Sequence, residues 1–329
     1  MGAVLVSLSL KRPASGDYLL PASGKLSGHT DLIGDFSTDH AVPAYGASAQ
    51  ASAIDSDSLS EVGGLHLILG DKLLSLGESV DSLTGKLGIP GRIASTEYNF
   101  DFYVYNRDYR NLLFVAVKDG LIEGFYTDSL KFNFMGIASG STLKELNQVL
   151  NSSFPLSEII SYEAEGYVAK VLFDQEETGL VTGIYVISDQ VAEDGYDASV
   201  MRDAELLNYD LVNSLRVRNG LPALAWSSTA AKASRYHSID MAVKNYFDHI
   251  APDQSLPGDR LQEAGILAQR VGENIIAGYG SAILSNHAWF NSPGHRKNLL
   301  NPDFVCLGVG FTYKEDSTYR TYMTQIFYK

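Results

Sequence analysis

The sequence predicts an α/β fold built from two successive blocks, and three observations carry that prediction. Leucines and valines recur at helical spacing in two short segments, Val80-Leu83-Leu87 and Leu143-Leu146-Leu150, each followed by strand-like runs. A second block opens with three helical patterns and closes with two alternating strands, the order expected of a sheet covered by helices. A polar, patternless stretch separates the blocks. The chain has 329 residues, 45% of them apolar, which suits two domains with real cores.

Taken in order, residues 1 to about 65 show little periodicity. "AYGASAQASAIDSDSLSEVGG" is rich in Ala, Ser, Gly and Asp, and this part is expected to be flexible or loosely packed. Residues 66–188 read as a duplicated α+β domain. Each copy begins with a glycine (Gly77, Gly140) and a hydroxyl residue (Ser79, Thr142) placed to start a helix. Strands follow: "NFDFYVY", "LLFVAVKDG" and "LIEGFYT" in the first copy, "GYVAKVLF" and "GLVTGIYV" in the second. "GLIEGFY" aligns with "GLVTGIY", matching Gly120 to Gly179, Gly124 to Gly183 and Tyr126 to Tyr185. In "KDG" and "ETG" the glycine supplies the positive φ of a hairpin turn.

Residues 189–203 read as a linker, and 204–329 as the second domain. Leu207, Leu211 and Leu215 mark its first helix, which Gly220 ends. "STAAKASRYHSIDMAVKN" is a second helix, with Ala231, Ser234, His237 and Met241 on one face. "AILSNHAWFN" is a third. "CLGVGFTYKEDSTYRTYMTQIFYK" reads as two strands around a "KEDS" turn.

Charge and composition exclude some partners. The chain carries net charge −14. From Ala204 onward there are 12 Lys+Arg against 11 Asp+Glu, net +1; the preceding part has 13 against 28, net −15. So acidic a first part argues against nucleic acid or an anionic membrane surface. The near-neutral second part suits a small ligand or a protein. Cys306 is the one cysteine, so no intramolecular disulfide forms; within "FVCLGVGF" it is expected to be a small apolar core residue. No apolar run reaches transmembrane length. The start, "MGAVLVSLSLKRP", places its charges after a short apolar stretch, the reverse of a secretory signal. That leaves a cytoplasmic protein and a trimmed chain both open.

The chemistry-bearing residues lie in the second domain. In "NSPGHRKNLLNP", Ser292 and Pro293 suit a helix start, which puts His295 in the first turn. The positive end of the helix dipole disfavours imidazolium, and a neutral ring can ligate a metal or accept a proton. "NYFDHIAP" holds His249. "RVGENIIAG" holds Glu273, a carboxylate in apolar surroundings that needs a partner if buried. Two imidazoles and a carboxylate are a candidate set for a divalent metal or for acid–base work. His237 and His287 are read as packing or surface residues, and Arg296 and Asn298 as supports of the loop.

From Glu205 to Tyr328 the chain resembles the CAP superfamily of cysteine-rich secretory, antigen 5 and pathogenesis-related 1 proteins. The resemblance rests on "VNSLRVRNGLPALAW", "HSIDM", "NYFDH", "GEN", "WFNSPGHRKNLL", "LGVGF" and "TQIF", in the family's order. The front domain is similar to the CAP-associated domain found before this module in some bacterial proteins. The resemblance implies an α-β-α sandwich with a central cavity lined by two His and two acidic residues able to hold Zn2+. Carried over one by one, His249 and His295 match the two histidines and Glu273 matches the first acid. Ser292 stands where the second Glu is expected, so one charge of the cluster is missing, and its hydroxyl is expected to cap the helix instead. Extracellular or cell-surface location is implied, as is a binding or interaction module taking a divalent metal, a small apolar ligand or a protein partner. A metal-assisted hydrolase with Glu273 as base is the alternative, without an HExxH motif or nucleophile elbow to support it. A third reading makes the acidic front domain an adhesive surface.

Overall fold

A computed structural model describes residues 65–329, which fall in one compact unit. Apart from Leu65, the loosely packed segment expected over 1–65 lies outside the described residues.

The first block runs β1 (His66–Leu69), β2 (Lys72–Ser75), α1 (Val80–Leu87), β3 (Arg92–Ser95), β4 (Asp101–Tyr105), β5 (Leu113–Lys118), β6 (Leu121–Thr127), β7 (Phe132–Phe134), β8 (Ile137–Ala138), α2 (Leu143–Val149), β9 (Ile159–Ala164), β10 (Tyr167–Asp174) and β11 (Leu180–Ser188). Ser79 and Thr142 are the N-caps of α1 and α2; Thr142 forms a capping box with Glu145. β3–β6 and β9–β11 make a seven-stranded antiparallel sheet in the order β3-β4-β5-β6-β11-β10-β9. The two similar segments meet at its centre, where Tyr126 of β6 lies opposite Tyr185 of β11. Corresponding positions make corresponding contacts: Ser79 bridges Leu121, and Thr142 bridges Leu180. Gly120 and Gly179 have φ of 77° and 66°, as their hairpin turns require.

Strand alternation gives this sheet two buried faces. Leu113, Val115, Phe125 and Phe173 pack with Leu83 of α1 and Leu146 of α2. Phe102, Phe114, Tyr126 and Tyr185 face the other way and join a core shared with Leu207, Leu211, Ile283 and Phe290 of the second block. That is why β5 reads as the continuous apolar run "LFVAV".

The second block comprises α3 (Ala198–Arg218), β12 (Ala225–Trp226), α4 (Ser228–Lys244), α5 (Pro257–Glu263), β13 (Val271–Ala277), α6 (Ala282–Phe290), α7 (Pro293–Leu299), β14 (Cys306–Tyr313) and β15 (Thr321–Tyr328). Its sheet has the order β12-β14-β15-β13. Leu307, Val309 and Phe311 face the core that holds Leu211 and Leu215 of α3. Gly308 and Gly310 face α4, which lies so close that a Cβ at either would collide with the backbone of Ala231 or Arg235. Ser234 and Ser238 of α4 donate to the Gly308 and Gly310 carbonyls, each at 3.0 Å. The sheet is thus enclosed between helices, an α-β-α sandwich, and the "LGVGF" glycines exist for close helix-on-strand approach.

Two expectations change here. The linker expected over 189–203 is helical from Ala198, because Asp197 caps α3 by accepting from the Ser199 and Val200 amides and because Val200 and Ala204 extend the buried stripe of Leu207 and Leu211. Cys306 begins β14 only partly buried, because it sits at the strand's end rather than within it.

Candidate functional site

Glu273 organises the site. It sits on β13, 7% exposed. Oε1 accepts from His249 Nδ1 at 2.8 Å, and Oε2 accepts from Arg260 Nη2 at 2.6 Å. Arg260, on α5, also donates to the His249 carbonyl at 3.1 Å and the Ser255 carbonyl at 3.0 Å. One guanidinium therefore neutralises the carboxylate and ties down the loop that carries His249. His237 of α4, read from sequence as a packing or surface residue, is buried with Nε2 4.0 Å from Glu273 Oε1. That nitrogen donates to the Asp248 carbonyl at 3.0 Å, so His237 braces the same loop from the other side. Arg260 and His237 are the members that sequence reasoning missed. A signal for the first existed: a buried Glu273 requires a cation, and between His249 and Glu273 the chain offers Arg260 and Arg270.

His295 arrives on α7. As expected, Ser292 holds the N-cap position and Pro293 the first turn. The Ser292 hydroxyl does not cap the helix, however. Its Oγ lies 2.8 Å from His295 Nδ1, so the side chain is committed to the ring three residues on. Asn298 ties α7 to β13, donating to the Glu273 carbonyl at 3.1 Å and to Asn274 Oδ1 at 2.9 Å; Asn274 in turn donates to the His295 carbonyl at 3.3 Å. Asn298 does support the loop, and it does so by crosslinking two of the site's elements.

These bonds set the proton positions. A carboxylate accepts, so the His249–Glu273 bond places a His249 proton on Nδ1 and leaves Nε2 outside that bond. The His249 side chain is 24% exposed, so its ring belongs to the more open part of the cluster. Burial, with a smaller contribution from His249, pushes His295 down to about 4, which keeps its ring neutral at physiological pH. The cluster thus combines the neutral His295 imidazole and the His249 ring with a carboxylate that is paired to Arg260. Among the described residues, no three His, Cys, Asp or Glu side chains converge to hold a metal ion. A cavity of about 290 Å3 opens elsewhere, among Leu69, Lys72, Leu87, Tyr105, Arg107 and Lys131; the chemistry, not the volume, marks the site.

His287 lies apart from this cluster, fully within the junction between the blocks. Its Nε2 donates to the Glu158 carbonyl at 2.8 Å. Burial pushes it down to about 4, against the upward pull of that carbonyl and of Asp174 and with a smaller downward push from Arg218. Its folded value lies below the usual 6.5, so between the two the unfolded chain binds a proton that the folded chain does not. Stability is expected to be full above pH 6.5 and to fall as the pH drops toward 4. This residue alone contributes a loss of about 3 kcal/mol. Denaturant unfolding of wild type and His287→Gln at pH 7 and pH 4.5 checks this; the substituted amide can still donate to Glu158, and the pH dependence is expected to flatten.

Comparison with known proteins agrees with this architecture. Residues 209–327 match the cysteine-rich secretory protein (CAP) family, and residues 76–163 match the CAP-associated N-terminal domain. The chain is 27% identical over 307 residues to the uncharacterized membrane protein YlbC of Bacillus subtilis, covering 80% of this chain and 85% of that protein. It is 43% identical over 102 residues to the uncharacterized protein YkwD of the same organism, 31% of this chain and 40% of that one. Among solved structures, an extracellular protein containing an SCP domain from Bacillus anthracis superposes with a TM-score of 0.66 at 27% identity, over 77% of this chain and 93% of that one. A cysteine-rich secretory protein from Staphylococcus aureus shares the fold with a TM-score of 0.60 at 18% identity, over 77% and 91%. With the sandwich, the paired His249 and Glu273, and a matched domain in each block, the chain carries a CAP domain of the cysteine-rich secretory protein type preceded by a CAP-associated N-terminal domain, the arrangement of its bacterial structural neighbours containing an SCP domain.

Proposed function

We propose that this chain is an extracellular or cell-surface binding module whose His249–Glu273–His295 cluster takes a small ligand or a divalent metal. The observation that carries this reading is the double engagement of Glu273, with His249 on one oxygen and Arg260 on the other. A carboxylate so held orients an imidazole well and is poorly placed to act as a free general base, which favours binding over hydrolysis. The ring hydrogen bond of His249 goes to Glu273 rather than to a serine or cysteine. The extracellular part of the reading draws on the Bacillus anthracis neighbour, and among the described residues no helix is long and apolar enough to cross a membrane. The acidic first part of the chain repels nucleic acid, which leaves small apolar molecules and proteins as partners.

The donor set fits Zn2+ in one way only. His249, through Nε2, and His295 would hold the ion, Glu273 would orient His249 from behind, and water would complete the coordination. Such an ion would supply Lewis acidity toward a bound oxygen. With Ser292 in the place of a second carboxylate the site carries less negative charge, so it holds a divalent ion less tightly.

Calorimetric titration of Zn2+ into the intact protein tests this. Saturable binding is expected, weakened at least about tenfold in His249→Ala and His295→Ala and by roughly 10–100-fold in Glu273→Gln, with circular dichroism establishing that each variant is folded. Binding that survives both histidine substitutions would place the ion elsewhere and overturn the assignment. No binding in the wild type would remove the metal and leave small organic ligands as occupants of the cluster.

A further inference from the structure

The turn that carries His295 is held from outside the CAP domain. Asn291 and Arg296 bracket the Ser292–His295 turn, and both are anchored on the CAP-associated domain at the end of β10. Asn291 Oδ1 accepts from the Gln175 amide at 2.8 Å, and its Nδ2 donates to the Phe173 carbonyl at 3.0 Å. Arg296 donates through Nη1 and Nη2 to the two oxygens of Asp174, at 2.8 and 3.1 Å, and through Nη2 to Glu177 at 2.9 Å. Its guanidinium also lies 3.9 Å from the centre of the Phe290 ring. One turn earlier, His287 is bonded to Glu158.

Asp174 is shaped for this task. Its oxygens also accept from the Glu177 amide and the Thr178 hydroxyl, both at 3.2 Å, so the carboxylate is oriented before Arg296 arrives. The Asp174 and Arg296 side chains are 1% and 7% exposed. A buried ion pair adds little net stability, because desolvation offsets attraction, but it imposes one geometry on the segments it joins. Simple adhesion between the domains has a separate pair: Arg218 donates to Asp128 at 2.9 Å, both 5% exposed, with the Ser214 hydroxyl on the same carboxylate. That pair does not touch the turn. Adhesion alone does not account for anchoring the residue immediately before and the residue immediately after Ser292–His295.

We infer that Asp174 is a positioning residue for the His295 site: acting through Arg296, the CAP-associated domain sets the conformation of the Ser292–His295 turn. Its functional meaning rests on the binding-site reading above, and its physical content does not.

The experiment is amide hydrogen exchange by mass spectrometry on the full chain, comparing Asp174→Asn with Asp128→Asn. The segment 292–300 contains the Arg296 amide bonded to the Ser292 carbonyl at 2.8 Å and the Leu300 amide bonded to the Arg296 carbonyl at 3.0 Å. In Asp174→Asn this segment is expected to exchange at least tenfold faster, while β13, β14 and β15 keep wild-type rates. Asp128→Asn is expected to leave 292–300 unchanged. Glu177→Gln alters the 45%-exposed partner and spares the buried one; it is expected to give the same local effect at about threefold, and it decides the question should Asp174→Asn fail to fold. Equal acceleration in the Asp174 and Asp128 variants, acceleration spread through the CAP sheet, or no change at 292–300 would overturn the proposal. Zn2+ titration of the same proteins is a second readout: affinity is expected to fall in Asp174→Asn and to hold in Asp128→Asn. If the wild type binds no zinc, the exchange result still stands, so the two readings fail separately.

Discussion

Replacing Glu273 with Ala is expected to destabilise the chain by about 3–5 kcal/mol, the cost of leaving a buried charge without its partner. Arg260, whose side chain is 9% exposed, would lose its carboxylate inside the fold. The same substitution removes the acceptor that holds the His249 proton on Nδ1. Both the position of the loop and the tautomer of the ring would be released. Glu273→Gln separates the two effects. The amide preserves the shape and can accept from Arg260 or from His249, so the expected loss is about half, with the His249 ring now free to exchange tautomers. Urea unfolding gives the stabilities, and nitrogen chemical shifts of His249 report the tautomer. A loss below about 1 kcal/mol for Glu273→Ala would mean that Arg260 finds solvent or another acceptor, and Glu273 would then not be the organiser of the site.

Arg216→Met is the second large effect. Arg216 is fully buried on α3, and its guanidinium donates to four carbonyls: Pro222 at 3.0 Å, Leu299 at 2.9 Å, Asn301 at 2.8 Å and, more weakly, Phe304 at 3.5 Å. Burial pushes the guanidinium down to about 10, which still leaves it charged at neutral pH. It joins the end of α3 to the turn after α7, the helix that carries His295. Methionine of similar length would fill the space and abandon all four carbonyl acceptors, at a cost on the order of 4 kcal/mol. Arg216→Lys is expected to recover less than half of this, because one ammonium cannot span the carbonyls that a planar fork reaches together. Denaturant unfolding of both variants tests the ranking; equal stability of the lysine variant and wild type would show that charge, not fork geometry, matters at this position.

Much of the fold was legible because its signals are local. Ser79 and Thr142 declared two helix starts through hydroxyl spacing. Leu207, Leu211 and Leu215 declared the buried stripe of α3, and the alternating "YRTYMTQIF" declared β15. The start of α3 was missed by six residues because the polar composition around Asp197 concealed a cap. The "KDG" and "ETG" turns and the tyrosine pair marked the two similar segments, yet β1, β2, β7 and β8 were too short to stand out. Within the candidate site, motif and family order named His249, Glu273 and His295, and the structure joins His249 to Glu273. Ser292 was placed correctly at the N-cap and given the wrong bond, because spacing alone does not distinguish a hydroxyl that turns to the backbone from one that turns to a ring three residues on.

By itself the sequence determined which segments become helix or strand and which domain type each block resembles, and it named the residues of the candidate cluster. Periodicity, caps and motifs act over a few residues, and their physics is complete within that reach. Only the tertiary structure decided which charges meet. Arg260 stands 13 positions from Glu273, and Asp174 stands 122 positions from Arg296. Burial makes those pairings compulsory, since an unpaired charge inside the fold is costly. Which carboxylate meets which guanidinium depends on how two sheets and their helices pack, and that is settled only when the whole chain has folded.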